Sequence, residues 1–145
     1  MPTNTAGSVA RNSNQQCVHY LRADITMLEV DVSGGVTRTI GVIPAGSVIL
    51  QPCSGVAVHV AFDDTTVVDI GASTDSGTDN WATNMITTSL GFVPIDEAVS
   101  HKVLVDTTII ATFIPAGSSV TVGAASVIIC YIPPNDFGNL IGLQS

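Results

Sequence analysis

The pentapeptide Ile43-Pro44-Ala45-Gly46-Ser47 decides how this chain reads, and it recurs as Ile114-Pro115-Ala116-Gly117-Ser118. Each copy follows a β-branched run and leads into another; Thr39-Ile40-Gly41-Val42 precedes the first, and Val48-Ile49-Leu50 follows it. Proline suits the second position of a type I turn and glycine the fourth. The isoleucine before each proline is driven towards extended geometry. The spacing predicts strand, tight turn, strand, at two corners of a β structure.

Composition supports the same class. Of 145 residues, 46% are hydrophobic and only 11% are charged. Roughly a third are Val, Ile or Thr, which suit a pleated, half-buried surface, whereas the usual helix formers are scarce. The length fits one domain. We read residues 1–16 as a polar arm, 17–133 as a single β-sandwich domain and 134–145 as a tail.

Working outward from the first turn, Leu28, Val30 and Val32 alternate with Glu29 and Asp31, which predicts a strand from Ile25. Ser33-Gly34-Gly35 predicts a hairpin turn, with the return over Val36–Ile43. Ser47–Gln51 predicts a short strand ended by Pro52-Cys53-Ser54-Gly55. Val56, Val58, Val60 and Phe62 then share one face of a strand, and Thr65–Gly71 forms another. Residues 82–90 fit either a helical turn or a short strand. Strand character resumes at Lys102–Val105, turns at Asp106-Thr107, and continues over Thr108–Ile114. After the second corner come Val120-Thr121-Val122, a break at Gly123–Ala125, and a last strand over Ser126–Ile132.

That last strand is apolar on both faces: Val127, Ile129 and Tyr131 on one, Ile128, Cys130 and Ile132 on the other. Such a strand lies inside a sandwich and is also covered outside, by another element or another chain. Pro133-Pro134 ends it. Frequent short strands with turn signals predict an all-β sandwich, a jelly roll first and an immunoglobulin-like sandwich second. The echo of Asp64-Thr65-Thr66 in Asp106-Thr107-Thr108 is no tandem repeat, because its order relative to the Pro-Ala-Gly turn is reversed.

The formal net charge is −8, and the four basic residues Arg11, Arg22, Arg38 and Lys102 do not cluster, so no nucleic-acid partner is expected. No signal peptide or membrane-spanning run is evident, so no membrane partner is expected either. Cys17, Cys53 and Cys130 are an odd set without CxxC spacing, which fits free, mostly buried thiols of a protein made in a reducing cytoplasm. The sequence has no G-x-S-x-G elbow, and His19, His59 and His101 lack metal-site or catalytic spacing, so neither enzyme activity nor a cofactor is expected. Solvated or hydrogen-bonded histidines are the simpler reading.

Two features come nearest to a site. The loop Thr74–Asn80, with Asp75, Asp79 and Asn80 and helped by Asp63, Asp64 and Asp69, offers oxygen ligands for calcium, or simply turn-forming aspartates. Trp81 beside it could stack on a sugar or anchor the core.

The stretch TIGVIPAGSVIL at 39–50, the valine run to Phe62, VVDIG at 67–71, and the later Asp-Thr-Thr strand leading to Tyr131-Ile132 carry a resemblance. Over residues 25–132 the chain resembles the small jelly-roll cement, or decoration, proteins of tailed bacteriophages, such as that of a Bordetella phage. The resemblance implies a virion protein, made in the host cytoplasm, that binds the outer capsid surface and bridges major capsid protein subunits, as a homodimer or trimer. It transfers no catalytic residue. Capsid contacts are then expected in the arm and tail, at Arg11, Asn14, Phe137, Leu140 and Ile141. The alternative is a head-fibre or tail component binding a host glycan.

Overall fold

The computed structural model describes residues 18–30, 35–63, 65–72, 81–96, 103–115 and 120–134. The strands are β1 (His19–Thr26), β2 (Val36–Ile43), β3 (Val48–Ile49), β4 (Gly55–Val60), β5 (Val67–Ala72), β6 (Ala82–Ile86), β7 (Gly91–Pro94), β8 (Thr107–Ile114) and β9 (Ala124–Ile132). A single helical turn, α1 (Met27–Val30), follows β1, and a 3-10 turn spans Gln51–Cys53. No helix among the described residues is long and apolar enough to cross a membrane.

Two antiparallel sheets result. One runs β1-β9-β4-β7, with β3 also paired to β9; the other runs β2-β8-β5-β6. Leaving aside the two-residue β3, every connection except β5 to β6 passes from one sheet to the other. That is the double Greek key of a jelly roll. An immunoglobulin sandwich, the second sequence expectation, would keep more hairpin partners side by side.

The inward rows meet in one core. Ile25, Val56, Val58, Val127 and Ile129 come from the first sheet, and Val68, Ile70, Ile109, Ala111 and Phe113 from the second. Phe62, Trp81, Ile95, Val103 and Val120 close the ends from the connections. Fully burying each large side chain contributes about 1.5–3 kcal/mol against unfolding.

The first Pro-Ala-Gly corner is a tight turn, but its register is one residue later than the sequence predicts. Ser47 N–H donates to Pro44 O at 3.2 Å, so Pro44 stands first and Gly46 third. Gly46 has φ +87°, the left-handed third position that a type II turn reserves for glycine. The turn then claims its neighbours. Gly46 N–H donates to Val103 O at 2.6 Å, Val103 N–H to Ser47 O at 2.8 Å, and Ala45 N–H to Asp106 Oδ1 at 2.8 Å. This explains why residues 103–106 are not the predicted strand: their polar groups are committed to the corner, and β8 starts at Thr107. Residues 116–119 of the second copy lie outside the described residues.

Three further expectations are corrected. The first strand begins at His19 and ends at Thr26, and the alternation at 27–30 is a helical turn. Thr26-Met27-Leu28-Glu29 forms one arm of a capping box: the Glu29 carboxylate reaches back to accept from Thr26 N–H at 3.1 Å. Second, Val56, Val58 and Val60 do not share a face. Val58 pairs with Ala125 and Val60 with Ala124, so His59 is an extra, bulged residue and Val60 turns outward. Third, β9 begins at Ala124, two residues before the expected start. For residues 82–90, which fitted two readings, the structure gives β6 and then the bend before β7.

Candidate interaction face

The site worth building is the outer face of the β1-β9-β4-β7 sheet. Residues directly opposite in an antiparallel pair share a face, so the register reads the face out row by row. Tyr20 lies opposite Cys130, Arg22 opposite Ile128, Asp24 opposite Ser126 and Thr26 opposite Ala124. On the other flank Gly55 lies opposite Ile128 and Pro94, Ala57 opposite Ser126 and Phe92, and Val48 opposite Ile132. The result is a broad apolar stripe. Tyr20 is 65% exposed, Phe92 45% and Ile132 39%, with Ile128 and Cys130 half-buried between them. The doubly apolar β9 predicted from sequence is present, central in its sheet, and its outer side is open to a partner within the described chain.

One polar chain crosses this face. Arg22 Nε donates to Asp24 Oδ1 at 2.8 Å, the Ser126 hydroxyl donates to the same Asp24 oxygen, and His59 Nε2 lies 2.7 Å from Ser126 Oγ. Since the Ser126 proton goes to Asp24, His59 must donate to Ser126. The order carboxylate, serine, histidine is wrong for a nucleophilic triad, where histidine accepts from serine and the carboxylate orients histidine. Ser126 is also fully buried. The chain instead ties β1, β9 and β4 together across the sheet. The hydrogen bond from Arg22, and next that from Ser126, hold the Asp24 carboxyl below the usual carboxylate range.

A second device fixes the stripe's middle. Ile49 faces Tyr131 and Gly55 faces Ile128, so six residue steps from β3 to β4 are set against three along β9. The 3-10 turn absorbs the excess. Ser54, fully buried, repairs the ladder there: its hydroxyl donates to Leu50 O at 2.9 Å and accepts from Cys130 N–H at 3.0 Å. Leu50 N–H donates to Cys130 O at 2.9 Å.

The other sheet presents a different outer face. Thr37, Thr39, Thr108 and Thr112 alternate with Val42, Ile110 and Ile114, and Thr37 and Thr112 hydroxyls sit 3.2 Å apart. An open groove of about 420 Å³ lined by Asn84, Met85, Ile86, Ser89, Val93 and Asp96 has a single carboxylate and no basic side chain in its lining.

The residues singled out in the sequence are scattered. Arg11, Asn14, Phe137, Leu140, Ile141, Cys17, Asp64, His101 and the loop 74–80 lie outside the described residues. Trp81 is buried in the core, the position of an anchor, and its backbone N–H donates to Ile70 O at 2.9 Å. Asp63 binds the Thr121 hydroxyl and the N–H groups of Thr121 and Val122, and these bonds, the Thr121 hydroxyl first, lower its pKa. Asp69 accepts from Asn84 N–H at 2.7 Å. Among the described residues no three His, Cys, Asp or Glu side chains gather as metal ligands. The expectation of mostly buried thiols fails at Cys53, which is exposed on the 3-10 turn.

No protein-family model matches this sequence, and none of the curated proteins matches it. Solved structures do share the fold. A chain of the cyanophage Pam1 capsid asymmetric unit superposes with a TM-score of 0.60 at 15% identity, covering 92% of this chain and 100% of that one. A chain of the acidic stable capsid of Helicobacter pylori bacteriophage KHP30 gives 0.60 at 12% identity, covering 81% of this chain and 89% of that one.

Proposed function

We propose that this protein is a structural component of a bacteriophage virion that binds the outside of the head and bridges major capsid protein subunits, acting as a cement protein rather than an enzyme. The observation that carries this reading is the fold likeness, over most of the chain, to chains in two phage capsids. The apolar face of the β1-β9 sheet supports it and is the surface assigned to the major capsid protein. The described chain enters this sheet at Val18 and leaves it at Pro134, and His19 lies directly opposite Tyr131. Residues 1–17 and 135–145 therefore start from the same end of the face. An apolar seat of this kind can hold a neighbour on the capsid lattice.

Apolar area buried there contributes about 25 cal/mol per Å² before ordering costs, and repetition over the lattice multiplies it. Neither nucleic acid nor membrane is needed as a partner, and a homodimer or trimer would repeat the seat around a symmetry axis. Quantitative mass spectrometry of purified particles tests the proposal. Copy numbers close to that of the major capsid protein are expected; a few copies per particle would overturn the cement reading in favour of a head-fibre or tail component.

A further inference from the structure

The repair of the β9 ladder brings two cysteines together. The 3-10 turn sets Cys53 beside Cys130 on β9, whose side chain lies on the outer side of the sheet. The contact agrees: Cys130 Sγ lies 3.3 Å from Cys53 O. A disulfide requires Cα atoms about 4.4–6.8 Å apart, and a thiol that already touches the other cysteine's carbonyl sets the two residues side by side. The backbone around them is pinned, since Leu50 N–H and the Ser54 hydroxyl both bind the Cys130 peptide groups. Both thiols are free, Cys53 exposed and Cys130 half-buried.

We infer that Cys53 and Cys130 form a redox pair that closes into a cross-strand disulfide when the protein meets a small-molecule disulfide. Cys53 is the entry point because reagents reach it. Its thiolate attacks the small disulfide, an S–S bond forms to Cys53, and one small thiolate leaves. The Cys130 thiolate then attacks Cys53 Sγ, the cross-strand S–S bond forms, and the second small thiolate leaves. The two cysteines are oxidised, the reagent is reduced to two thiols, and each cysteine gives up one proton. Burial, and then the charge of Cys53, push the Cys130 thiol up; capping Cys53 removes the second cause, so the resolving step follows the first. A reducing cytoplasm keeps the pair open, and an oxidising exterior closes it. The bridge would fasten the 3-10 turn to the central strand. This inference goes beyond the capsid reading and does not rest on it.

The test uses the full chain carrying Cys17→Ser, so that Cys53 and Cys130 are the remaining thiols, with oxidised glutathione as the probe. Thiols should fall from two per chain to none, the intact mass should drop by two hydrogens, and the chain should stay monomeric on a non-reducing gel. Cleavage after Arg38 and Lys102 should give peptide 39–102 joined to peptide 103–145. With Cys130→Ser added, the reaction should stop at a glutathione adduct on Cys53. Persistence of both thiols, a stable glutathione adduct with Cys130 intact, or covalent dimers through Cys53 would each overturn the inference.

Discussion

The central strands β8 and β9 occupy matching places in the two sheets, yet their outer rows differ. On β8 the outward residues are Thr108, Ile110, Thr112 and Ile114; on β9, beyond Ser126, they are Ile128, Cys130 and Ile132. Threonine is β-branched like valine and isoleucine, so it satisfies the pleated backbone while keeping a hydroxyl for water. Every second outward position of β8 therefore keeps a hydroxyl for water, alternating with Ile110 and Ile114. The β9 face discards that hydroxyl at successive positions, and the one polar group it keeps, Ser126, is spent within the Arg22-Asp24-Ser126-His59 chain. Inside, the two sheets contribute alike; the difference lies outside, where folding does not demand it.

The largest effect should come from charging one face but not the other. Replacing Tyr20→Lys and Ile132→Lys together removes two apolar contacts each worth about 1.5 kcal/mol or more, so head binding should weaken about 100-fold in a sedimentation assay. The matched pair Thr112→Lys and Ile114→Lys on the other sheet should bind heads as the wild type does. Equal loss from both pairs would break the comparison.

The next effect separates packing from binding. A Cβ at Gly55 would sit 2.1 Å from Val93 O and 2.8 Å from Pro94 Cα, which are backbone atoms of the paired strand β7. Gly55→Ala should destabilise the domain by about 2 kcal/mol in urea unfolding, through the β4–β7 edge of the apolar sheet.

Acid titration probes the polar chain across the β9 face. The folded pKa of Asp24 lies below its unfolded value, so its contribution is present above the ordinary carboxylate range and is lost as pH falls through the folded value. Asp24→Asn should lower the thermal midpoint at neutral pH, and the gap to wild type should vanish in strong acid. A constant gap would show that charge plays no part.

The smallest effect lies on the β8 face. Thr112→Val loses the exposed contact with Thr37 but keeps the β-branched shape, so stability should change by less than about 0.5 kcal/mol in urea unfolding.

The sequence showed the sandwich through its turn residues and the period of its valines, and it showed the double-sided dryness of β9 outright. Both are local signals. What it hid were events depending on two strands at once. The bulge at His59 reverses Val60 without any local mark, and Asp24, His59 and Ser126 meet only through register. The bond from Thr26 N–H to Glu29 starts a helical turn where the alternation from Leu28 to Val32 reads as strand. Leu28, 77% exposed, shows the difference between a strand's inward row and the free side of a helical turn. The corner at Pro44–Ser47 was recognised as a turn, yet only the bond from Ser47 N–H to Pro44 O fixes which residue stands third.

The pairing of His19 with Tyr131 has a mechanical consequence. β1 enters and β9 leaves at the same end of an antiparallel ladder, so loads applied there in opposite sideways directions peel the two strands apart rung by rung, as a zipper opens. Loads pulling both ends the same way do not slide one strand past the other, and the whole sheet resists them together. A domain wired like this tolerates being hauled from one side and yields when its two leads are spread, so the attachment points of those leads set the force it survives.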